Sequence, residues 1–378
     1  MRSKYTQMIQ AIDVALAAGT PLYIEGLPGV GKSQTVEAVG RARGRKVVVI
    51  IGSTLDPTDF GGIPVPRKDG SGVDLLLPRF AEEILEAYET TGRRPVAFLD
   101  ELPDAPLAVQ GPAYRFVLEG EVARRILPAD RVAAGNPPEV SLQQSSLPPA
   151  LANRFVHWKA EVDPRYIARG FQEGFEGLVT AALRPEPPAG VVEARIREVK
   201  VLVGLYLERN PGAVIDMPKD PVSQGGPWPS PRSWEILARV VGAAQAIGYG
   251  VELQTALAYG AVGGRGYEFM HFMKDLDLPD PGELLRDPKL LPVQDDRAFA
   301  ALMGAVRYAT ESLEERWEAA WALLRFAADR GQAELAAKAS RGLIRAWDEA
   351  KKRGVNLPIT QKLLGERLAQ IGARLAAL

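Results

Sequence analysis

Apolar residues first recur at helical spacing between Tyr5 and Ala18, where Met8, Ile9, Ile12 and Leu16 share one face, and the run stops at Gly19, a residue suited to closing a helix. Leu22-Tyr23-Ile24-Glu25 then reads as a short buried strand and Ser33 to Arg43 as a helix. Val47-Val48-Val49-Ile50-Ile51 is an unbroken β-branched run, the pattern of a strand covered on both faces in a parallel sheet. Asp56 to Pro64 breaks regular structure, and a hairpin-like insertion follows, with turn residues Lys68 to Gly72 between Val65 and Leu75-Leu76-Leu77. Proline at its start marks a helix from Pro78 to about Tyr88. Pro95 to Leu99 is an apolar strand that ends in Asp100-Glu101, Leu107 to Leu118 is a helix stopped by Gly120, and Arg131 to Pro137 is a further strand. Leu147 to Phe155 reads as a short helix and Val156-His157-Trp158 as a last strand, with His157 in a satisfied core or edge position.

A proline-rich break from Arg184 to Gly190 marks a boundary, and no strand pattern returns after it. Val191 to Glu208 and Arg232 to about Ile247 are helical, separated by a Pro- and Gly-rich loop. Glu268-Phe269-Met270-His271 has the spacing of half a carboxylate–histidine di-metal motif; without a second half it reads as a core helix. Beyond Leu276 to Pro281 everything is helix: Ser312-Leu313-Glu314-Glu315 forms a capping box, Trp317, Trp321, Leu324 and Phe326 supply an apolar stripe, and helices at about Ala333 to Lys351 and Thr360 to Ala377 complete a three-helix unit. That unit offers either a partner or oligomer surface or simple packing against the rest of the chain.

Composition narrows the class without choosing a function. Hydrophobic content of 46% and charged content of 25% are those of a globular protein. A net charge of −1 gives no global electrostatic case for nucleic acid or an anionic membrane as partner. The chain has no cysteine, which removes disulfides, thiol nucleophiles and thiolate metal sites together. The amino terminus leads into an amphipathic pattern, and no run reaches the 18 or so apolar residues of a membrane span, so a soluble cytoplasmic protein is expected. Arg41, Arg43, Arg45 and Lys46 close a helix and read as a solvated basic end.

Gly26-Leu27-Pro28-Gly29-Val30-Gly31-Lys32-Ser33 fits the phosphate-cradling loop at every constrained position, between a strand and a helix as that loop requires. Glycines let the backbone approach a polyphosphate closely, and the helix that starts at Lys32 adds unpaired N–H groups and a positive dipole end. The expected ligand is a nucleoside triphosphate, held by Gly26, Pro28, Gly29, Val30, Gly31, Lys32, Ser33 and Gln34. Lys32 is expected at the outer phosphates, with the Ser33 hydroxyl ligating Mg²⁺. Ligands of an open α/β sheet sit beyond the carboxyl ends of its strands, so Asp100-Glu101 arrives beside the phosphates. Asp100 is then expected in the Mg²⁺ shell and Glu101 on an attacking water.

Taken together these residues resemble the AAA+ ATPases, and among them the MoxR-like branch, over roughly residues 1 to 275. The resemblance rests on the loop at Gly26 to Ser33 (Walker A) and the acid pair Asp100-Glu101 (Walker B). Ala134-Gly135-Asn136-Pro137 is similar to sensor 1, Leu151-Ala152-Asn153-Arg154-Phe155 to the arginine-finger segment, and Ser230-Pro231-Arg232 to sensor 2 at the start of a lid helix. Phe60 to Pro64 and the insertion after it sit where this family places a helix-2 insert. The resemblance implies an α/β P-loop AAA+ core with a parallel sheet at 1–187, an all-α lid at 188–278 and an extra helical region at 279–378. It further implies that Asn136 orients the water and that Arg232 binds nucleotide and reports the γ-phosphate to the lid. Arg154 would act on a neighbouring subunit's nucleotide, hence a homo-oligomeric ring, a hexamer.

The leading expectation is an ATP-hydrolysing ring that remodels or activates a protein partner in a chaperone-like way, with a von Willebrand factor A-type protein as the partner the resemblance suggests. An ATP-driven nucleic-acid motor is the alternative, with Arg67, Lys68, Arg124 and Arg125 gathered in a pore; the neutral net charge counts against it. A nucleotide-gated scaffold with little turnover is a third, and Glu101 counts against it.

Overall fold

In a computed structural model of the chain, residues 3–140, 147–276, 278–352, 354–355 and 357 are described. The helix expected at Thr360 to Ala377 lies outside them. The strands are β1 (Leu22–Glu25), β2 (Val47–Ile51), β3 (Ile63–Pro66), β4 (Val73–Leu76), β5 (Val96–Asp100), β6 (Glu121–Val122), β7 (Arg125–Ile126), β8 (Asp130–Gly135) and β9 (Val156–Lys159). Five of them form one all-parallel sheet in the order β2-β5-β8-β1-β9, so the fold is mixed α/β with a helical remainder. Parallel pairing puts every carboxyl end on the same side, and the register sets Glu25 opposite Gly135 and Ile51 opposite Asp100. No helix among the described residues is long and apolar enough to cross a membrane.

Strand order corrects one expectation. The β-branched run of β2 belongs to an edge strand, and only alternate residues are covered: Val48 and Ile50 are buried, whereas Val49 and Ile51 are 42% and 46% exposed. Asp56 to Pro64 is more regular than its composition suggests, because Pro57–Gly61 forms a short helix whose start is tied by the Asp59 carboxylate accepting from the Asp56 amide at 2.7 Å. The insertion is the antiparallel hairpin β3-β4, with Ile63 opposite Leu76. The connection holding Arg124 is a second, very small hairpin, β6-β7, turned through Ala123 and Arg124 at φ 48° and 61°, the left-handed pair a two-residue hairpin loop needs.

The basic helix end is solvated at Arg41 and Lys46, as expected, but not at Arg43 and Arg45. Arg43 donates to both Asp13 oxygens at 2.5 and 2.7 Å with only 11% and 4% of the two side chains exposed, and Tyr249 donates to Asp13 from the other side. Arg45 is bonded to Asp130, which also accepts from Arg94. Removing one partner of a buried pair strands the other charge, so Arg43→Ala is expected to cost about 3 kcal/mol of stability in denaturant unfolding. A loss below about 0.5 kcal/mol would instead mark an ordinary surface residue.

The chain packs as two compact units, Met1–Ile196 with Asn210–Met270, and Arg197–Arg209 with His271–Leu378. In the first, the helix α1 (Lys4–Ala18) packs on β8 and β9 and the helix Val251–Val262 on β9, while the helix Pro231–Ile247 packs against both helices. Close approach needs Gly260, where a Cβ would stand 2.2 Å from the His157 carbonyl oxygen. His157 itself bonds to the Ala152 carbonyl at 2.8 Å, and burial lowers its pKa to about 4. In the second unit Asp295–Glu311, Leu313–Ala327 and Ala333–Lys352 bury Trp317, Trp321 and Leu324. Ser312 precedes its helix without capping it through its side chain. Glu268 and His271 are not core residues: they face solvent, while Phe269 and Met270 between them are buried. Among the described residues no three His, Cys, Asp or Glu side chains gather as a metal site.

Candidate functional site

The sheet order makes β5, β8 and β1 consecutive, and the loops leaving their carboxyl ends converge. From β1 the chain enters Gly26 to Gly31 and then the helix α2 (Lys32–Ala42). Gly31 occupies the left-handed region at φ 85°, and a Cβ there would lie 2.6 Å from the Tyr5 hydroxyl, so both conformation and space require glycine. No side chain caps α2, which leaves its first-turn amides directed into the mouth of the loop. Leu27, Pro28, Gly29 and Gln34 are exposed, Val30, Gly31 and Ser33 half-buried, and Gly26 and Lys32 buried.

Lys32 is the centre of the cluster. Its Nζ donates to Gly26 O at 2.6 Å, Leu27 O at 3.1 Å and Asn136 Oδ1 at 3.1 Å. Burial pushes its pKa down and the Asp100 and Glu101 carboxylates pull it back up. Asn136 arrives because β8 pairs with β1 in register and Gly26 N extends that pairing to Gly135 O at 3.2 Å. Ser33 Oγ donates to Asp100 Oδ2 at 2.6 Å, bringing together two hard oxygen donors of the kind Mg²⁺ takes when phosphates and water complete its shell. Glu101 follows β5 in the left-handed region, φ 55° and ψ 35°, which is uncommon for a side chain that gains nothing from it locally. Its Oε2 accepts from Ser53 Oγ at 2.5 Å.

Two of the expected residues form a separate group. Arg154 donates to Ala150 O at 2.5 Å, and its Nε is shut from solvent without a hydrogen-bond partner. Burial, then the charge of Arg232, push the Arg154 guanidinium below its ordinary pKa, against weaker pulls from Glu119 and Tyr114. Arg232 is exposed on the first turn of the helix Pro231–Ile247.

Several contributors carried no sequence signal. Tyr5 lies under the loop, its hydroxyl 2.8 Å from Thr35 Oγ1 and 3.3 Å from Val30 O, with its ring stacked on Tyr166 at 4.4 Å. Ser53 was open to inference, since it follows the carboxyl end of β2, where ligand-side residues of such sheets collect. Asn153 stood beside a residue that was singled out, and only its long-range bonds distinguish it.

No protein-family model matches the chain, and no curated protein matches it. Among solved structures that do is that of "a putative ATPase" from Cytophaga hutchinsonii, 16% identical, with 68% of this chain and 86% of that chain covered and a TM-score of 0.41.

Proposed function

We propose that this chain is an ATP-hydrolysing AAA+ protein of the MoxR-like kind that works as a homo-oligomeric ring, a hexamer, and remodels or activates a protein partner. The observation that carries the reading is the meeting of Lys32, Ser33, Asp100, Glu101 and Asn136 at the carboxyl ends of three adjacent parallel strands, beside an uncapped helix start. A von Willebrand factor A-type protein is the partner class we put forward.

The chemistry follows from charge. Displacement at the γ-phosphorus spreads negative charge over its oxygens, so catalysis is mostly positioning and cationic stabilisation. Lys32 supplies a cation within the loop, and the α2 amides hold the phosphate chain. Ser33 and Asp100 would hold Mg²⁺, which would neutralise charge on the phosphate oxygens. Glu101 accepts the proton of the attacking water as the bond to ADP breaks, and Asn136 orients that water. Ser53 restrains the Glu101 carboxylate, so Glu101 must leave that hydrogen bond to reach the water. Arg154 serves the nucleotide of a neighbouring copy.

Binding of ATP tests the reading. Loss of one charge-assisted contact costs about 1.5–3 kcal/mol, so Lys32→Ala is expected to weaken ATP binding by about 10- to 150-fold in titration calorimetry. Equal affinity in the two proteins would end the reading.

A further inference from the structure

Asn153 and Ser230, 77 residues apart, meet in a buried polar clasp, and each adjoins one of the two grouped arginines. Asn153 is 5% exposed and Ser230 8%. Ser230 Oγ donates to Asn153 Oδ1 at 2.5 Å, while Asn153 Nδ2 donates to Trp228 O at 2.9 Å. Ser233, fully buried, donates to the same carbonyl at 2.9 Å and accepts from Ser230 N at 2.8 Å. The amide therefore spends its acceptor and one donor on the turn that opens the helix Pro231–Ile247. Asn153 closes the short helix Pro149–Ala152 and is followed at once by Arg154, whereas Ser230 caps its helix and stands two residues before Arg232. Pro231 between them fixes its own φ, which leaves the start of Arg232 little freedom.

We propose that Asn153, through Ser230, is a positioning residue that holds Arg154 and Arg232 as one unit directed at a single phosphoryl group, that of a neighbouring copy's nucleotide, so that Arg232 joins Arg154 there and does not serve its own subunit's site. This rests on the reading of the chain as an ATPase. Burying an amide and two hydroxyls has a cost that apolar packing of the same junction avoids; the hydrogen bonds offset it and, unlike apolar packing, hold the junction in one geometry. What the clasp ties together is the two stretches of backbone that carry Arg154 and Arg232, whose charges act on one another. Two guanidinium forks held together match a group with several anionic oxygens, and a terminal phosphoryl offers three. The Arg154 Nε has no hydrogen-bond partner, so the bonding of that guanidinium is incomplete in the free chain.

A double-mutant cycle on the full chain separates positioning from simple stability. Asn153→Ala is expected to lower kcat for ATP hydrolysis by about 10- to 100-fold while leaving the KM and Kd for ATP within about twofold, because misplacement by an ångström is enough for such a loss. In an Arg154→Ala/Arg232→Ala background the same change should add nothing. Ser230→Ala, which reaches the clasp from the other side, should reproduce both results. An equal fold-loss in both backgrounds, a native kcat for Asn153→Ala, or a native chain that binds ATP without hydrolysing it overturns the proposal. Failure of the underlying reading is visible separately, as ATP binding that is absent in the native chain or indifferent to Lys32→Ala.

Discussion

Glu101→Gln is expected to bind ATP as the native chain does and to hydrolyse it about 10²–10⁴-fold more slowly, the usual worth of a positioned general base. The substitution keeps size and the hydrogen bond from Ser53 Oγ but removes the carboxylate that the proposed reaction needs for the water's proton. It also leaves Ser33, Asp100 and Lys32 in place, so affinity should hold. Phosphate release at saturating ATP, read beside calorimetric affinity, checks both halves. Hydrolysis within about threefold of native would mean that the backbone conformation of Glu101 serves something other than catalysis.

Arg154→Ala is expected to cut hydrolysis by about 10³–10⁵-fold without loss of ATP binding, the range an arginine finger is worth in other P-loop enzymes. If the finger is supplied between copies, specific activity of the native chain rises with protein concentration. Mixing gives the decisive measurement. A subunit carrying Arg154→Ala still has Glu101, and one carrying Glu101→Gln still has Arg154, so the two inactive variants should regain activity together. No recovery on mixing, with activity flat against concentration, would assign Arg154 to its own subunit's nucleotide or to none.

Much of the architecture was legible along the chain, and its errors were of one kind. The strands β1, β5 and β8, the hairpin insertion and the helices Ala189–Arg209, Pro231–Ile247, Leu313–Ala327 and Ala333–Lys352 follow from local periodicity, proline and glycine. Periodicity misjudged Val49 and Ile51, because whether a β-branched strand is covered on one face or two depends on where it sits in the sheet. It misjudged Arg43 and Arg45 because their carboxylates, Asp13 and Asp130, are 30 and 85 residues away. Ser312-Leu313-Glu314-Glu315 shows the converse: a correct local motif whose side-chain cap does not form.

By itself the sequence determined the glycine turn between β1 and α2, because strand, turn and helix start are contiguous and their geometry is set by neighbouring backbone angles, and it placed the acid pair Asp100-Glu101 at the end of β5. It also determined that a helical remainder follows a parallel α/β core. Only the tertiary structure decided that Asn136 reaches Lys32, that Ser53 holds Glu101, that Tyr5 supports Gly31 and that Asn153 clasps Ser230. Those meetings span tens of residues, and they depend on strand order and on which faces bury together. Packing of the whole chain sets such choices, and a linear pattern does not encode them pair by pair.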